Sequence, residues 1–233
     1  MRRAALLLAA VALLAVVAVE VVRESKAQAA SSVRLTSSTA AVKPGAVPLF
    51  KQAFRNNCET ASLSMLLAAA AVRVDQRKLQ RELPRSGPLD PIVSTDGTWT
   101  WGAPDKGFVG RVEGGGSAGG FGVYQGPIRR LAARYGVRLV DLSRRDVSAV
   151  VARLRQGRPV MSWIGLSDGP YRRWRAPNGR PISVNFGEHA VVLTGIRNGM
   201  ILVNDPLNGK RLQWSVDEYA AKWRLLGRRA LGL

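Results

Sequence analysis

The spacing of apolar and polar residues divides the chain into three parts. Residues 4–19 form an unbroken apolar run, residues 31–46 are rich in Ser, Thr and Ala without a sustained period, and a mixed pattern fills the rest. In the mixed part, apolar residues recur at helical spacing in some segments and form short strand-like runs in others. Helices are predicted at 59–71, 75–83, 124–135, 146–156 and 216–226, and strands at 138–142, 159–165 and 228–233.

Two long segments, 84–122 and 166–187, show neither period and are rich in Gly, Pro and Trp. Stretches of that length without regular structure are usually functional or disordered when they belong to a compact domain. We therefore expect them to form irregular walls of a cleft.

The N-terminal pattern is typical of an exported protein. Arg2 and Arg3 precede the apolar run, and Ala27-Gln28-Ala29 follows it as a small-x-small site, so residues 1–29 are predicted to be a secretory signal. Four charged residues between the run and that site leave an uncleaved membrane anchor as the alternative. Residues 30–46 are interpreted as a linker or stem, and 47–233 as one domain outside the cytoplasm.

The chain is strongly basic, with a formal net charge of +19. Removal of residues 1–29 would take away four basic and two acidic residues and leave +17. Such a surface favours anionic partners such as lipid head groups, wall polymers or acidic peptides. An evenly solvated, arginine-rich surface is the alternative, and the scattered arginines without a recognition motif argue against specific nucleic-acid binding. The protein is expected to be a monomer.

One cysteine, Cys58, and one histidine, His189, are present in the whole chain. An exported domain with one cysteine cannot form an internal disulfide, so the thiol serves packing or chemistry. Cys58 follows Asn56-Asn57 at the predicted start of a helix, where the macrodipole favours a thiolate. One thiol and one imidazole cannot supply a zinc site, and no carboxylates are grouped at ligand spacing, so neither a metal nor a cofactor is expected.

The second half of the pattern is a pair of strands around Asn198-Gly199. If residues 197–199 form a three-residue loop, Ile196 opposes Met200, and His189 and Asp205 become diagonal neighbours on one face. A two-residue turn without a bulge would put them on opposite faces. A carboxylate beside the ring would orient it as a base, while turn formation is the alternative role of Asp205.

Several short motifs together carry a family resemblance. Gln52 stands six residues before the cysteine of Asn56-Asn57-Cys58-Glu59-Thr60-Ala61-Ser62, and further matches lie at 107–110, 120–124, 157–163, 189–195 and 203–206. In these motifs the chain resembles papain-like cysteine peptidases related to the bacteriocin-processing, double-glycine-leader peptidase family, in particular its stand-alone exported bacterial members. The commoner family sequence after the cysteine is Gly-Pro, whereas this chain has Glu59-Thr60, which weakens any transfer of leader-peptide specificity.

The resemblance implies a role for each candidate residue. Cys58 would be the nucleophile, His189 the general base, Asp205 the residue that orients it, and Gln52 the side-chain donor to the oxyanion. It also implies an α+β, papain-like cysteine peptidase fold, with helices packed on an antiparallel β-sheet and a cleft between Cys58 and His189. No phosphate-binding Gly-Lys-Ser/Thr loop is present, so the transporter domain that usually accompanies leader processing is absent from the chain.

The function predicted on these grounds is that of an exported thiol hydrolase that cleaves peptide bonds. Two alternatives stay open, because a fold and a dyad do not define the acyl group. One is an amidase or acyltransferase of the same fold that acts on cell-wall material. The other is a catalytically silent module that binds the wall or the membrane.

Overall fold

The computed structural model describes residues 46–233. The predicted signal at 1–29 and the predicted stem, apart from Ala46, lie outside the described residues. No helix within 46–233 combines the length and the apolar character that a membrane crossing needs.

The helices lie close to the positions predicted from the sequence. Their bounds are α1 Cys58–Ala69, α2 Gln76–Glu82, α3 Gln125–Arg134, α4 Val147–Arg155 and α5 Val216–Arg224. Local chemistry explains several ends: Asp75 and Ser215 accept hydrogen bonds from the first-turn amides of α2 and α5. Helix α1 ends before Ala71, whose φ of 61° is outside the helical region.

A six-stranded antiparallel sheet forms the centre of the domain, in the order β11-β10-β9-β6-β12-β5. Its strands are β5 Val140–Asp141, β6 Val160–Gly165, β9 Glu188–Arg197, β10 Met200–Asp205, β11 Lys210–Trp214 and β12 Ala230–Gly232. Strand β11 was not predicted, because only Leu212 and Trp214 in it are apolar. The predicted arrangement of helices on an antiparallel sheet is confirmed.

Helices cover both faces of this sheet. Along β6 and β9 the side chains alternate, so that Met161, Trp163 and Val192 join the core around α1. Their sequence neighbours face the other way and pack against α4 and α5. Helix α1 is apolar on all sides and its residues 58–67 are buried, as expected for a helix in the middle of a core.

The two segments predicted to be irregular contain short strands. These are β1 Ile92–Val93, β2 Trp99–Thr100, β3 Val109–Gly110, β4 Gly120–Gly122, β7 Tyr171–Arg175 and β8 Pro181–Asn185. Strands β1, β2, β7 and β8 form a second sheet, and β3 pairs with β4. Strands of two to five residues give too few positions for a period to be recognised, which is why the prediction of wholly irregular walls was wrong.

The hairpin between β9 and β10 corrects the predicted loop. Arg197 pairs directly with Met200, so the turn has two residues, and Asn198 and Gly199 both have positive φ (50° and 76°). Positive φ at both central residues is the geometry that matches the twist of a tight hairpin. The prediction of a three-residue loop was therefore wrong.

A β-bulge at Thr194 compensates for the shorter turn. Gly195 pairs with Leu202, but the next pair is Leu193 with Val203, so β9 contains one extra residue at this point. Beyond the bulge the register is the one that the three-residue loop would have given. His189 and Asp205 therefore come together as predicted, for a different structural reason.

Trp163 joins the sheet to the segment before α3, and its loss should be costly. The ring is fully buried and its Nε1–H donates to the Val123 carbonyl at 2.9 Å. We expect Trp163→Ala to lower the free energy of unfolding by about 3–5 kcal/mol, because a large cavity and an unpaired carbonyl would remain. Urea unfolding measures this, with the half-buried Trp99→Ala as the matched control. An equal loss in both variants would contradict the assignment.

Candidate active site

The first turn of α1 places Cys58 at a rigid point of the structure. Asn57 precedes the helix, but its side chain does not cap it: Oδ1 accepts from the Phe54 amide, and Nδ2 donates to Thr60 Oγ1 and Gln76 Oε1. These bonds tie the approach loop, the helix start and α2 together. The backbone before the thiol is therefore held from three directions, as a preorganised site requires.

His189 and Asp205 form a buried pair at the ends of β9 and β10. Nε2 of His189 lies 2.7 Å from Oδ1 of Asp205, and the side chains are 3% and 9% exposed. Burial alone would raise the pKa of Asp205, but the hydrogen bond and charge of His189 outweigh it, so that the pKa is lowered. Because Nε2 is engaged, Nδ1 is the ring nitrogen left to exchange a proton elsewhere. Asp205 Oδ1 also accepts from the Leu207 amide, which supports its predicted turn-forming role as well.

Gln52 lies near the thiol but holds its amide in its own loop. Its Nε2 donates to the carbonyls of Phe54 and Arg55, at 2.9 and 2.7 Å. Its Oε1 is buried and has no hydrogen-bond partner among residues 46–233. Both N–H groups are thus engaged, and donation to an oxyanion would require one of these bonds to be exchanged.

A small cavity of about 100 Å³ brings three of the four predicted residues together. Gln52, Cys58 and His189 line it, and Asp205 stands behind His189. The segments 84–122 and 166–187 contribute Gly120, Phe121, Leu166 and Phe186 to its wall, so both border the site as predicted. The cavity is a short slot at the thiol, wide enough for a small group but not for a folded ligand.

Comparison with known proteins agrees with this geometry. Residues 45–231 match the model of the Peptidase_C39-like family, which is about four fifths of the chain. The chain belongs to the Peptidase_C39-like family. It is 31% identical over 180 residues to the uncharacterized protein YvpB of Bacillus subtilis, which covers 76% of this chain and 68% of YvpB.

A solved structure shows the same fold. It is a crystal structure from Bacillus anthracis, provisionally described as a C39-like peptidase, with 28% identity and a TM-score of 0.69. The match covers 83% of this chain and 96% of the other. The predicted α+β, papain-like fold is confirmed by this likeness, and so is the predicted relationship to C39-like peptidases.

The site of this C39-like domain contains two residues that sequence reasoning missed. Glu59 and Glu188 lie beside Cys58, and one carboxylate oxygen from each lies within 4.8 Å of the sulfur and of the other. Oε1 of Glu59 accepts from the Val123 amide at 2.6 Å, and Oε2 lies 3.4 Å from Cys58 Sγ. A glutamate on the wholly apolar helix α1 was a signal that the sequence offered, since buried carboxyls are rare without a role.

Burial decides the protonation of this carboxyl pair. Desolvation raises the pKa of Glu59 to about 7, although the Val123 hydrogen bond works against it. Desolvation also raises the pKa of Glu188 well above its usual value, with the neighbouring Glu59 charge adding to the effect. At mildly acidic pH both groups therefore carry protons.

The same burial corrects the expectation of a resting thiolate. Desolvation raises the pKa of the Cys58 thiol well above its ordinary value, and the charges of Glu59 and Glu188 raise it further. Only the Ala190 backbone amide acts in the opposite direction. The helix N-terminus favours a thiolate by its dipole, but removal of a full charge from water costs more than a half-charge returns.

The three neighbours also form the group with the closest metal-like spacing in the part of the chain that the structure describes. The sequence analysis expected no such cluster, because Glu188 and Cys58 are 130 positions apart and only folding brings them together. A thiol and two carboxyls that retain their protons compete poorly for a cation. The arrangement suits proton chemistry at the sulfur better than metal binding.

Glu59 should make the stability of the protein depend on pH. Its folded pKa of about 7 lies above the ordinary carboxyl value of about 4.3, so the unfolded chain releases the proton first. The Glu59 contribution is complete below pH ~4.3 and is lost as pH rises from there through about 7, by on the order of 3 kcal/mol.

Comparison with Glu59→Gln isolates this contribution, because glutamine has the same shape and does not titrate. We expect the free energy of unfolding in urea to fall from pH 4.5 to 7.5 more steeply in the wild type than in this variant. Glu218→Gln, on the exposed side of α5, serves as the matched control and should keep the wild-type slope. Parallel curves for the wild type and Glu59→Gln would contradict the assignment.

Proposed function

We propose that this C39-like domain is an exported thiol hydrolase that cleaves peptide bonds, with Cys58 as nucleophile and His189 as general base. One observation carries the proposal: the sole thiol and the sole imidazole of the chain line the same small cavity. The ring is oriented from behind by Asp205, which leaves Nδ1 for the thiol proton.

In the proposed reaction, the Cys58 proton moves to His189 Nδ1 and the sulfur attacks the carbonyl carbon of the scissile bond. The C=O bond opens to an oxyanion, which the Cys58 backbone N–H at the helix start would receive. His189 then protonates the leaving amine as the C–N bond breaks. Water, deprotonated by His189, releases the acyl group from the sulfur.

Gln52 would be the second donor to the oxyanion. Its Nε2 lies in the loop that borders the cavity, where it bonds to Phe54 and Arg55 carbonyls. The orphaned Oε1 shows that its amide is incompletely satisfied in this arrangement. A modest rotation of the amide on substrate binding would exchange one carbonyl for the oxyanion, which is a stronger, charged acceptor.

The net charge of +19 supports export toward anionic surroundings such as the wall or the membrane face. Arg55 stands exposed at the border of the cavity, so we expect acidic or neutral peptides to be preferred over basic ones near the cut.

Peptides and wall fragments distinguish the proposal from its enzyme alternative. Release of new N-termini from labelled peptides supports a peptidase, whereas turnover of purified wall fragments alone would show an amidase or acyltransferase. No turnover of either, with an unreactive thiol, would leave the silent binding module.

The roles of the three residues predict an order of losses. Cys58→Ala and His189→Ala should lower peptide cleavage by on the order of 10²-fold or more, because each removes a group that forms or breaks a bond. Asp205→Asn should cost less, because the amide still contacts the ring. Initial rates on a labelled peptide measure this, with urea unfolding to confirm folding and Glu218→Gln as the control. Full activity in His189→Ala would contradict the assignment.

A further inference from the structure

The carboxyl of Glu59 is held against the sulfur by its surroundings. The residue is 1% exposed, and its two oxygens contact the Val123 amide at 2.6 Å and Cys58 Sγ at 3.4 Å. Gly122 makes this position available: a Cβ there would lie 2.2 Å from Glu59 Oε1, and its φ of 115° also favours glycine. Backbone from β4 therefore forms the recess that holds the carboxyl beside the thiol.

Glu188 completes the arrangement from the strand that carries His189. Its Oε1 is buried and has no hydrogen-bond partner among residues 46–233. A buried carboxylate oxygen without a donor is unfavourable, whereas a protonated carboxyl beside a second one can donate to it. Two carboxyls this close in a buried site cannot both ionise readily, so the pair retains protons that isolated carboxyls would lose.

We propose that Glu59, kept protonated by its burial beside Glu188, donates a hydrogen bond to the Cys58 thiolate and thereby acts as a further catalytic residue. The proposal rests on the function proposed above and deepens it. When His189 takes the thiol proton, the S–H bond breaks and negative charge appears on the sulfur. Glu59 keeps its own proton throughout and stabilises that charge at 3.4 Å, so no proton is gained or lost by the carboxyl pair.

Ionisation of Glu59 reverses its effect. The carboxylate becomes an acceptor for the thiol S–H and a like charge next to a thiolate, so both changes favour the protonated, unreactive thiol. The Glu59 carboxyl titrates near neutral pH because burial raises its pKa to about 7. The thiol is therefore expected to be most readily activated from mildly acidic to neutral pH and suppressed above it.

The other charged and titratable groups around the pair do not replace this effect. His189 follows Glu188 on β9 and is bonded to Asp205 of β10. Tyr124, at the start of α3, stays a neutral phenol because burial raises its pKa, with the Glu188 charge as a smaller contribution. Arg229 stacks on the Tyr124 ring at 3.7 Å.

Alkylation of the sole cysteine tests the proposal without a substrate. Iodoacetamide rates are measured on the purified full-length wild type, Glu59→Gln and the control Glu218→Gln between pH 5 and 8.5. Glutamine keeps the shape, accepts from Val123 through its oxygen and offers a neutral N–H to the sulfur. We expect wild type and Glu59→Gln to agree within about twofold at pH 5, and Glu59→Gln to react about tenfold faster or more at pH 8, which corresponds to one unit of thiol pKa.

Two further readouts cover a variant that folds poorly. The ultraviolet absorbance of the thiolate should give a lower apparent thiol pKa in Glu59→Gln than in the wild type. Infrared spectroscopy of the wild type at pH 6 should show a carboxylic acid C=O band that Glu59→Gln weakens, since carboxyls in water are ionised at that pH.

The possible results separate this inference from the proposed function. A constant ratio of alkylation rates across the pH range would indicate a purely structural role for Glu59 and overturn the proposal. Slower alkylation of Glu59→Gln at neutral pH would show that Glu59 accepts the thiol proton, which also overturns it. A gap that opens with pH supports the proposal even if no peptide is cleaved, and in that case only the proposed function fails.

Discussion

The structure depends on the burial of a polar helix start inside an apolar core. Helix α1 is enclosed from its first residue, so Cys58, Glu59 and Thr60 are removed from water together. Each polar group there must find a partner from another element, and the partners come from the approach loop, α2 and the segment after β4. These bonds set the position of the thiol, because a shift of the helix would break several of them at once.

The low polarity of this site works in two directions. It raises the pKa of the thiol, which opposes formation of the nucleophile, and it raises the pKa of the adjacent carboxyls, which turns them from repulsive charges into hydrogen-bond donors. His189 and Asp205 are the counterpart, since their mutual contact keeps a carboxylate ionised in spite of its burial. Charge is thus tolerated where it is paired and suppressed where it is not.

Sequence reasoning located the elements that have a strong period and the residues of rare type. Helix α2 and helix α4 were predicted within one residue at each end, and Cys58 and His189 stood out as the only residues of their kind. The pairing of His189 with Asp205 was predicted from an incorrect loop, because the pattern of the strands indicates which residues share a face but not where a bulge lies. Glu188 could not be found, since its role depends on a residue 129 positions away that only the fold brings near.

Glu59 also gives physical meaning to the departure from the Gly-Pro that commonly follows the cysteine in related peptidases. A glycine at this position would leave the Val123 amide without its acceptor and open space beside the sulfur. The glutamate fills that space, and Gly122 provides room for it in the backbone of β4. Exchange of Glu59 for glycine would therefore also require a change in the 120–124 segment, to provide a new partner for the exposed amide. The two segments lie on opposite sides of the thiol and are coupled through one side chain, so variation in one constrains the other.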